Sequence, residues 1–247
     1  MPVQSIAIDT LLALSLWATL RSGRQSLAGP GFMACGAFTA SLVAPHVGAS
    51  LWLCAIASGL VSLLLGVLVE RSVRGLTPTS YVIATLSFGI AAPILMLAPH
   101  LARGPSHPAG NVLTAIVCLA AGTAALTWAS DRFRFAAGAA AAGLAGVLYW
   151  SSGGALVPSA FGVDRLGMMV AVALVGGAGS PLAPLLSAVL LAWITRLAEP
   201  LTDQRVIVDG VVLLLALVYL PGGAWASIAA AARALTRASK GSADGAS

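Results

Sequence analysis

Charge is what this sequence has least of. Only 9% of its 247 residues are charged, against about 25% in soluble globular domains. A soluble protein so poor in charge could not cover its own surface. With a mean hydropathy of +0.96, the chain needs lipid as its solvent. Cysteine is scarce too. Cys35, Cys54 and Cys118 fall in separate apolar runs. That spacing offers neither a disulfide framework nor a metal site, and the three read as small apolar core residues. The net charge of +5 is no nucleic-acid signal, because the basic residues are scattered through short loops and the tail, where they set topology. The first residues carry no basic n-region and no small-residue cleavage site, so no signal peptide is expected.

Recognisable reaction chemistry is also missing. There is no nucleophile elbow, P-loop, zincin or dinucleotide fingerprint. His46, His100 and His107 lie at the ends of apolar runs or between them, without the acidic partners of a zinc site. The expectation is a protein that is not an enzyme, with no catalytic residue, no metal and no cofactor.

What is present is a series of apolar runs of roughly 15–22 residues, rich in Leu, Ala, Val and Gly, which fits membrane helices and not barrel strands. Nine crossings are expected, at 6–20, 26–44, 51–69, 80–101, 111–130, 135–153, 166–179, 182–197 and 206–223. Leu51 is placed at an interface. The fold class is all-α, a polytopic membrane helical bundle. One side collects Arg21, Arg24, Arg71, Arg74, Arg132, Arg134, Arg233, Arg237 and Lys240, and the other Arg103, Arg165, Arg196 and Arg205. The positive-inside rule then puts the N-terminus outside and the C-terminus inside, in agreement with an odd number of crossings. Residues 1–227 form the transmembrane domain, and 228–247 a polar cytoplasmic tail without the apolar content to fold.

Several stretches stand out within this frame. "SLAGPGFMACGAFTASLVAP" (26–45) reads either as a tightly packed central helix or as a broken helix lining a solute path, because Gly and Pro inside a membrane need protein or water around them. The path candidates are Ser26, Gly29, Gly31, Gly36 and Thr39. "VGGAGSPLAP" (175–184) reads as a tight hairpin between two crossings or as a structured cytoplasmic turn facing a partner, with Pro181 suited to open a helix. "AAGAAAAGLAG" (136–146) pairs Ala139 with Gly143 and Ala142 with Gly146, a helix-packing face. Asp9 and Asp209 lie near the outer ends of their crossings. An ion-coupling role is one reading, interfacial placement the other. Arg205 and Asp209, four residues apart, are expected to pair. Finally, "ASDRFRF" (129–135) crowds Asp131, Arg132 and Arg134 into an inside loop.

Together these stretches resemble the permease subunit of branched-chain amino acid ABC importers. "LLALSLWATLRSGRQSLAGPGFMACGAFTASLV" is similar to the family's early helix, Gly-containing turn and small-residue helix. "RSVRGLTPTSYVIATLSFGIA" is similar to its Arg-x-x-Gly and Ala-Thr-Leu-x-Phe stretch. "AAAAGLAGVLYW" followed by "GALVPSAFGVDRLGMMVAVALVGGAGSPLAPLLSAVLL" carries its Leu-Ala-Gly helix, Phe-Gly loop and Gly-Gly-x-Gly-Ser turn, the most specific part. "VIVDGVVLLLALVYLPGG" is similar to its last helix.

The resemblance implies a bacterial cytoplasmic (inner) membrane protein that takes up branched-chain amino acids or related small solutes. Its implied partners are a second related permease, cytoplasmic ATPase subunits that hydrolyse ATP, a periplasmic solute-binding protein and the bilayer; no nucleic acid is involved. The ATPase-contact candidates are Asp131, Arg132, Arg134, Gly176, Gly177, Gly179 and Ser180. The sequence departs from the family in four ways. The longer cytoplasmic segment that docks the ATPase is replaced by "DRFRF". Leu220-Pro221 stands for Arg-Pro. Asp9 and Asp209 stand where uncharged residues are usual. The first family helix has no counterpart. A diverged permease without ATPase coupling, or a secondary transporter using Asp9 or Asp209, are the alternative readings.

Overall fold

Glycine and alanine set the architecture, because they decide where two backbones can touch. The computed structural model describes residues 2–21, 23–47, 50–96, 112–130, 133–153, 156–177, 180 and 182–197. The ninth apolar run, with Arg205 and Asp209, and the tail lie outside the described residues. The helices are α1 (Pro2–Arg21), α2 (Gly29–Val43), α3 (Leu51–Val73), α4 (Pro78–Met96), α5 (Val112–Trp128), α6 (Arg134–Ser151), α7 (Val163–Gly176) and α8 (Ala183–Leu197). Each falls on one of the first eight apolar runs. No strand occurs among the described residues. One element went unforeseen, a 3-10 turn at Pro158–Phe161 before α7. Pro158 suits its start, where a missing N–H costs nothing.

α6 is the hub, buried along most of its length. Its small residues form the expected packing face. A Cβ added at Gly66 of α3 would come within 2.6 Å of the Ala139 Cβ. Gly143 leaves no room for a Cβ against Ser58 and Ser62 of α3, and Gly146 none against the Met33 carbonyl of α2. The Ser58 hydroxyl donates to the Gly36 carbonyl at 2.9 Å, tying α3 to α2. Close backbone approach of this kind supplies dispersion and hydrogen bonding where burial from lipid supplies no hydrophobic drive.

Helix ends sort into two groups. The Arg24 guanidinium donates to the Arg74 carbonyl at 3.3 Å and lies 5.4 Å from the Tyr81 ring centre, while Tyr81 meets Phe135 edge-on at 6.4 Å. The ends of α1 and α3 and the starts of α4 and α6 therefore share one end of the bundle. Of the first basic group, Arg21, Arg24, Arg71, Arg74 and Arg134 belong to these same helix ends. At the far end of α6, Tyr149 lies 5.7 Å beneath the Arg165 guanidinium, so α7 starts there and runs back towards the basic end. α8 returns beside it, held by the Ser187 hydroxyl donating to the Val172 carbonyl at 2.7 Å.

The outer faces are apolar. Leu53, Ile56, Leu64 and Leu68 on α3 and Ile83, Ile94 and Leu95 on α4 are all exposed. Among the described residues, three helical stretches, Leu51–Val73, Pro78–Leu95 and Pro158–Gly176, are long and apolar enough to cross a membrane.

Candidate functional site

The "GPG" at 29–31 does not break a crossing. It opens one: α2 begins at Gly29, with Pro30 in its first turn, where proline's fixed φ is preorganised for a helix. The start of α2 is buried at mid-length of its neighbours. A Cβ at Gly29 would lie 2.5 Å from the Met169 sulfur of α7 and 3.7 Å from Leu12 of α1. A Cβ at Gly31 would lie 3.0 Å from the Phe88 ring, and one at Gly89 of α4 2.7 Å from the Leu27 carbonyl. The backbone of α4 and side chains of α1 and α7 converge on the first turn of α2, and these glycines make room for them.

Irregular backbone among apolar helices requires internal hydrogen-bond partners. Residues 26–28 find them in three hydroxyls. Thr19 Oγ1 accepts from the Ser26 N–H at 3.3 Å and donates to the Leu16 carbonyl at 2.9 Å. Thr85 Oγ1 accepts from the Leu27 N–H at 3.2 Å and donates to the Val82 carbonyl at 3.0 Å. Ser26 Oγ accepts from the Ala28 N–H at 3.4 Å. The residue before the helix, Ala28, provides no side-chain cap, which leaves the positive end of the helix dipole inside the protein. Such an end favours negative charge, and broken helices in transporters present it to anionic groups of a solute.

Beside this start is an apolar cavity of about 10 Å³, bounded by Leu27, Pro30, Leu86, Gly89, Ile90 and Phe161. A second, open cleft of about 340 Å³ lies between α1, α5 and α8, lined by Thr10, Ile116, Leu119, Thr123, Leu182 and Leu185. Its hydroxyls are turned onto their own helices: Thr10 donates to Ile6 at 2.6 Å and Thr123 to Leu119 at 2.9 Å. It is an apolar crevice.

Of the path candidates, Ser26, Gly29 and Gly31 come together at the buried start of α2. Gly36 lies further along, closed off by Gly143. Thr39 is half-buried, its hydroxyl donating to the Cys35 carbonyl at 2.8 Å. Of the ATPase-contact candidates, Arg134 sits in the first turn of α6. Gly176 packs against Ala183 and Ser187. Gly177 turns the chain with a φ of 76°, and Ser180 Oγ accepts from the Leu182 N–H at 3.3 Å. The direction of α7 carries Gly176, Gly177 and Ser180 towards the end where Arg134 lies. Asp131, Arg132 and Gly179 lie outside the described residues.

Asp9 has a partner that the sequence did not reveal. Arg165 Nη1 donates to its Oδ1 at 2.8 Å, with 10% of the Asp9 side chain and 26% of the Arg165 side chain exposed. Arg165, expected between crossings, belongs to the first turns of α7. Opposite charges in two otherwise apolar runs were the available clue.

Residues 119–221 match the family model described as the branched-chain amino acid transport system / permease component. The match begins within α5, takes in α6, the 3-10 turn, α7 and α8, and extends past the described residues. No curated protein and no solved structure matches the chain.

Proposed function

We infer, from the match of residues 119–221 to the branched-chain amino acid permease family model, that this chain is the permease subunit of an ABC importer. In this reading it crosses the bacterial cytoplasmic membrane nine times and carries branched-chain amino acids or related small solutes. A second permease lies beside it, a periplasmic protein delivers solute, and ATP is hydrolysed by cytoplasmic ATPases and not by this chain. The family match is the observation that carries the reading.

The geometry around α2 supports a path at Ser26, Gly29 and Gly31. There a helix start inside the bundle meets apolar walls from α1, α4 and α7. An amino acid has a carboxylate for the positive helix end and an apolar side chain for Leu27, Leu86 and Phe161, whose walls would have to part, since the cavity between them is about 10 Å³. The basic helix ends, Arg21, Arg24, Arg71, Arg74 and Arg134, would face the cytoplasm.

The test is uptake of radiolabelled leucine, isoleucine and valine into vesicles holding this chain, its neighbouring permease and ATPase, with the solute-binding protein outside. Uptake that requires ATP and is lost without this chain is the expected result. ATP-independent uptake would favour a secondary transporter.

One observation favours a second reading, a diverged permease without ATPase coupling. α5 ends at Trp128 and α6 begins at Arg134, so the connection has no room for the docking helix that the resemblance implies. ATPase binding measured directly separates the two. The ion pair that engages Asp9 with Arg165 weighs against the secondary-transporter reading.

A further inference from the structure

We propose that Asp9 and Arg165 form a latch that holds α7 closed over the buried start of α2, so that breaking the pair opens access to the apolar cavity behind Phe161. The proposal rests on the transport reading above.

Position is the first argument. Asp9 and Leu12 are one turn apart on the same face of α1, and Arg165 and Met169 one turn apart on the same face of α7. Leu12 and Met169 are the two side chains that close around Gly29. The ion pair therefore sits one helical turn from the point where α2 begins, and joins the same two helices. It is not a surface contact between flexible chains: 10% of the Asp9 side chain is exposed, and the guanidinium reaches it at 2.8 Å.

Linkage to the cavity is the second. The other side of the Arg165 guanidinium lies over Tyr149, 5.7 Å from the ring centre. Tyr149 packs edge-on against Phe161 at 5.2 Å. Phe161 is fully buried and lines the cavity together with Leu27 and Pro30 of the α2 start and Leu86 and Gly89 of α4. Asp9, Arg165, Tyr149 and Phe161 thus form one continuous chain of contacts from α1 to the cavity wall.

Mobility is the third. α7 has only 14 residues and a glycine at each end. Gly162 precedes it, and Gly177 follows it with a φ of 76° that other residues avoid. Gly162 itself is in extended backbone, and a short helix flanked by these two residues can move as a unit, hinges being a few terminal residues that absorb the change. The ion pair ties the end of α7 nearest Gly162, and the Ser187–Val172 hydrogen bond holds the end nearest Gly177 against α8. Releasing the first while keeping the second would swing Val163 and Leu166, which line the cavity beside Phe161, away from the α2 start.

The test uses the full-length chain in phospholipid vesicles. Leu86→Cys, on the α4 wall of the cavity, is the reporter. Cys35 and Cys118 are replaced by Ala, and the native Cys54, buried beneath Ala40 on α3, is the internal control. A water-soluble maleimide reads the labelling rate at both thiols. Asp9→Asn and Arg165→Gln are each expected to raise labelling at the reporter about tenfold, since either change removes the ion pair that ties the start of α7 to α1. Labelling of Cys54 should not change. The swap Asp9→Arg/Arg165→Asp is expected to bring the reporter back towards its original rate.

No rise in either single variant would overturn the latch. So would an equal rise at Cys54, which would make the pair a staple of the whole fold, or a swap that labels as fast as the single variants. Leucine uptake is measured separately. Labelling as expected without uptake removes the importer reading and leaves the latch; uptake with an unresponsive reporter does the reverse.

Discussion

Gly36 of α2 and Gly143 of α6 meet backbone to backbone, and a Cβ on Gly36 would collide with the Gly143 carbonyl. Ser58 of α3 closes the same point by donating to the Gly36 carbonyl at 2.9 Å. Three helices are fixed at one contact that tolerates no side chain. Gly36→Leu is therefore expected to destabilise the protein by more than the ordinary overpacking cost of about 1–3 kcal/mol, because the obstacle is backbone and not a side chain that can turn away. Thermal unfolding in detergent, with folded yield from membranes, measures it. Leu51, placed at an interface by the hydropathy pattern, is only 8% exposed and belongs to the core, so it is a poor comparison. Leu64, 66% exposed on α3, is the proper one, and Leu64→Ala should be nearly neutral. Equal tolerance at Gly36 and Leu64 would mean that α2 faces lipid.

Thr85→Val separates hydroxyls that serve the chain entering α2 from those that serve only their own helix. Thr85 Oγ1 accepts the Leu27 N–H from another element, whereas Thr123 Oγ1 bonds only to carbonyls of its own helix, Leu119 and Ala120. Removing the first strands a buried donor, which costs about 1–3 kcal/mol. Thr123→Val removes a hydroxyl whose loss strands no donor, and the change should stay within about 0.5 kcal/mol. Unfolding midpoints of the two variants, measured side by side, check this. A Thr85→Val protein as stable as Thr123→Val would mean that the Leu27 N–H finds another partner.

The eight described helices were legible because apolar runs and the polar breaks between them are local properties. The α6 packing face was legible for the same reason: small residues four apart must face one neighbour, whoever it is. What the sequence hid depends on which neighbour. Gly89 is one glycine in an apolar helix until the Leu27 carbonyl is found against it. Phe161 reads as a loop residue until Tyr149 packs on it. The start of α2 was read too early, at residue 26, because hydropathy counts apolar residues and does not register whether their N–H groups bond within a helix or to Thr19 and Thr85. Arg165 and Asp9, 156 residues apart, could be matched only by the fold.

Topology has a direct test. With the N-terminus outside and nine crossings, Ser106 lies outside and Ser242 inside. Single cysteines at these two positions, in a chain without the native three, should react from opposite faces of intact cells: Ser106→Cys with an impermeant maleimide, Ser242→Cys only after permeabilisation. Labelling of both from one face would show that the count of crossings between them is even, and that the total of nine is wrong.

The sharpest question about coupling concerns the turn between α5 and α6. Five residues, 129–133, separate the two helices, too few for a docking helix of even two turns at 3.6 residues each. An ATPase would have to hold this turn itself, the Gly176–Ser180 turn, or the end of α3 around Glu70 and Arg74. The "DRFR" turn is the best equipped. Phe133 is 58% exposed, and it is flanked by Arg132 and Arg134, an aromatic between cations of the kind that anchors small interfaces. Binding through so small an area is expected to be weak. The neighbouring ATPase is co-purified with the wild-type chain and with Arg132→Ala/Arg134→Ala. Binding that is weak in the wild type and lost in the double variant is the expected result, and would mean that this turn has taken over from the missing segment. Strong binding unaffected by the substitutions would remove the turn from the interface and direct attention to Gly176, Gly177 and Ser180. No binding to either would favour a permease that has left its ATPase behind.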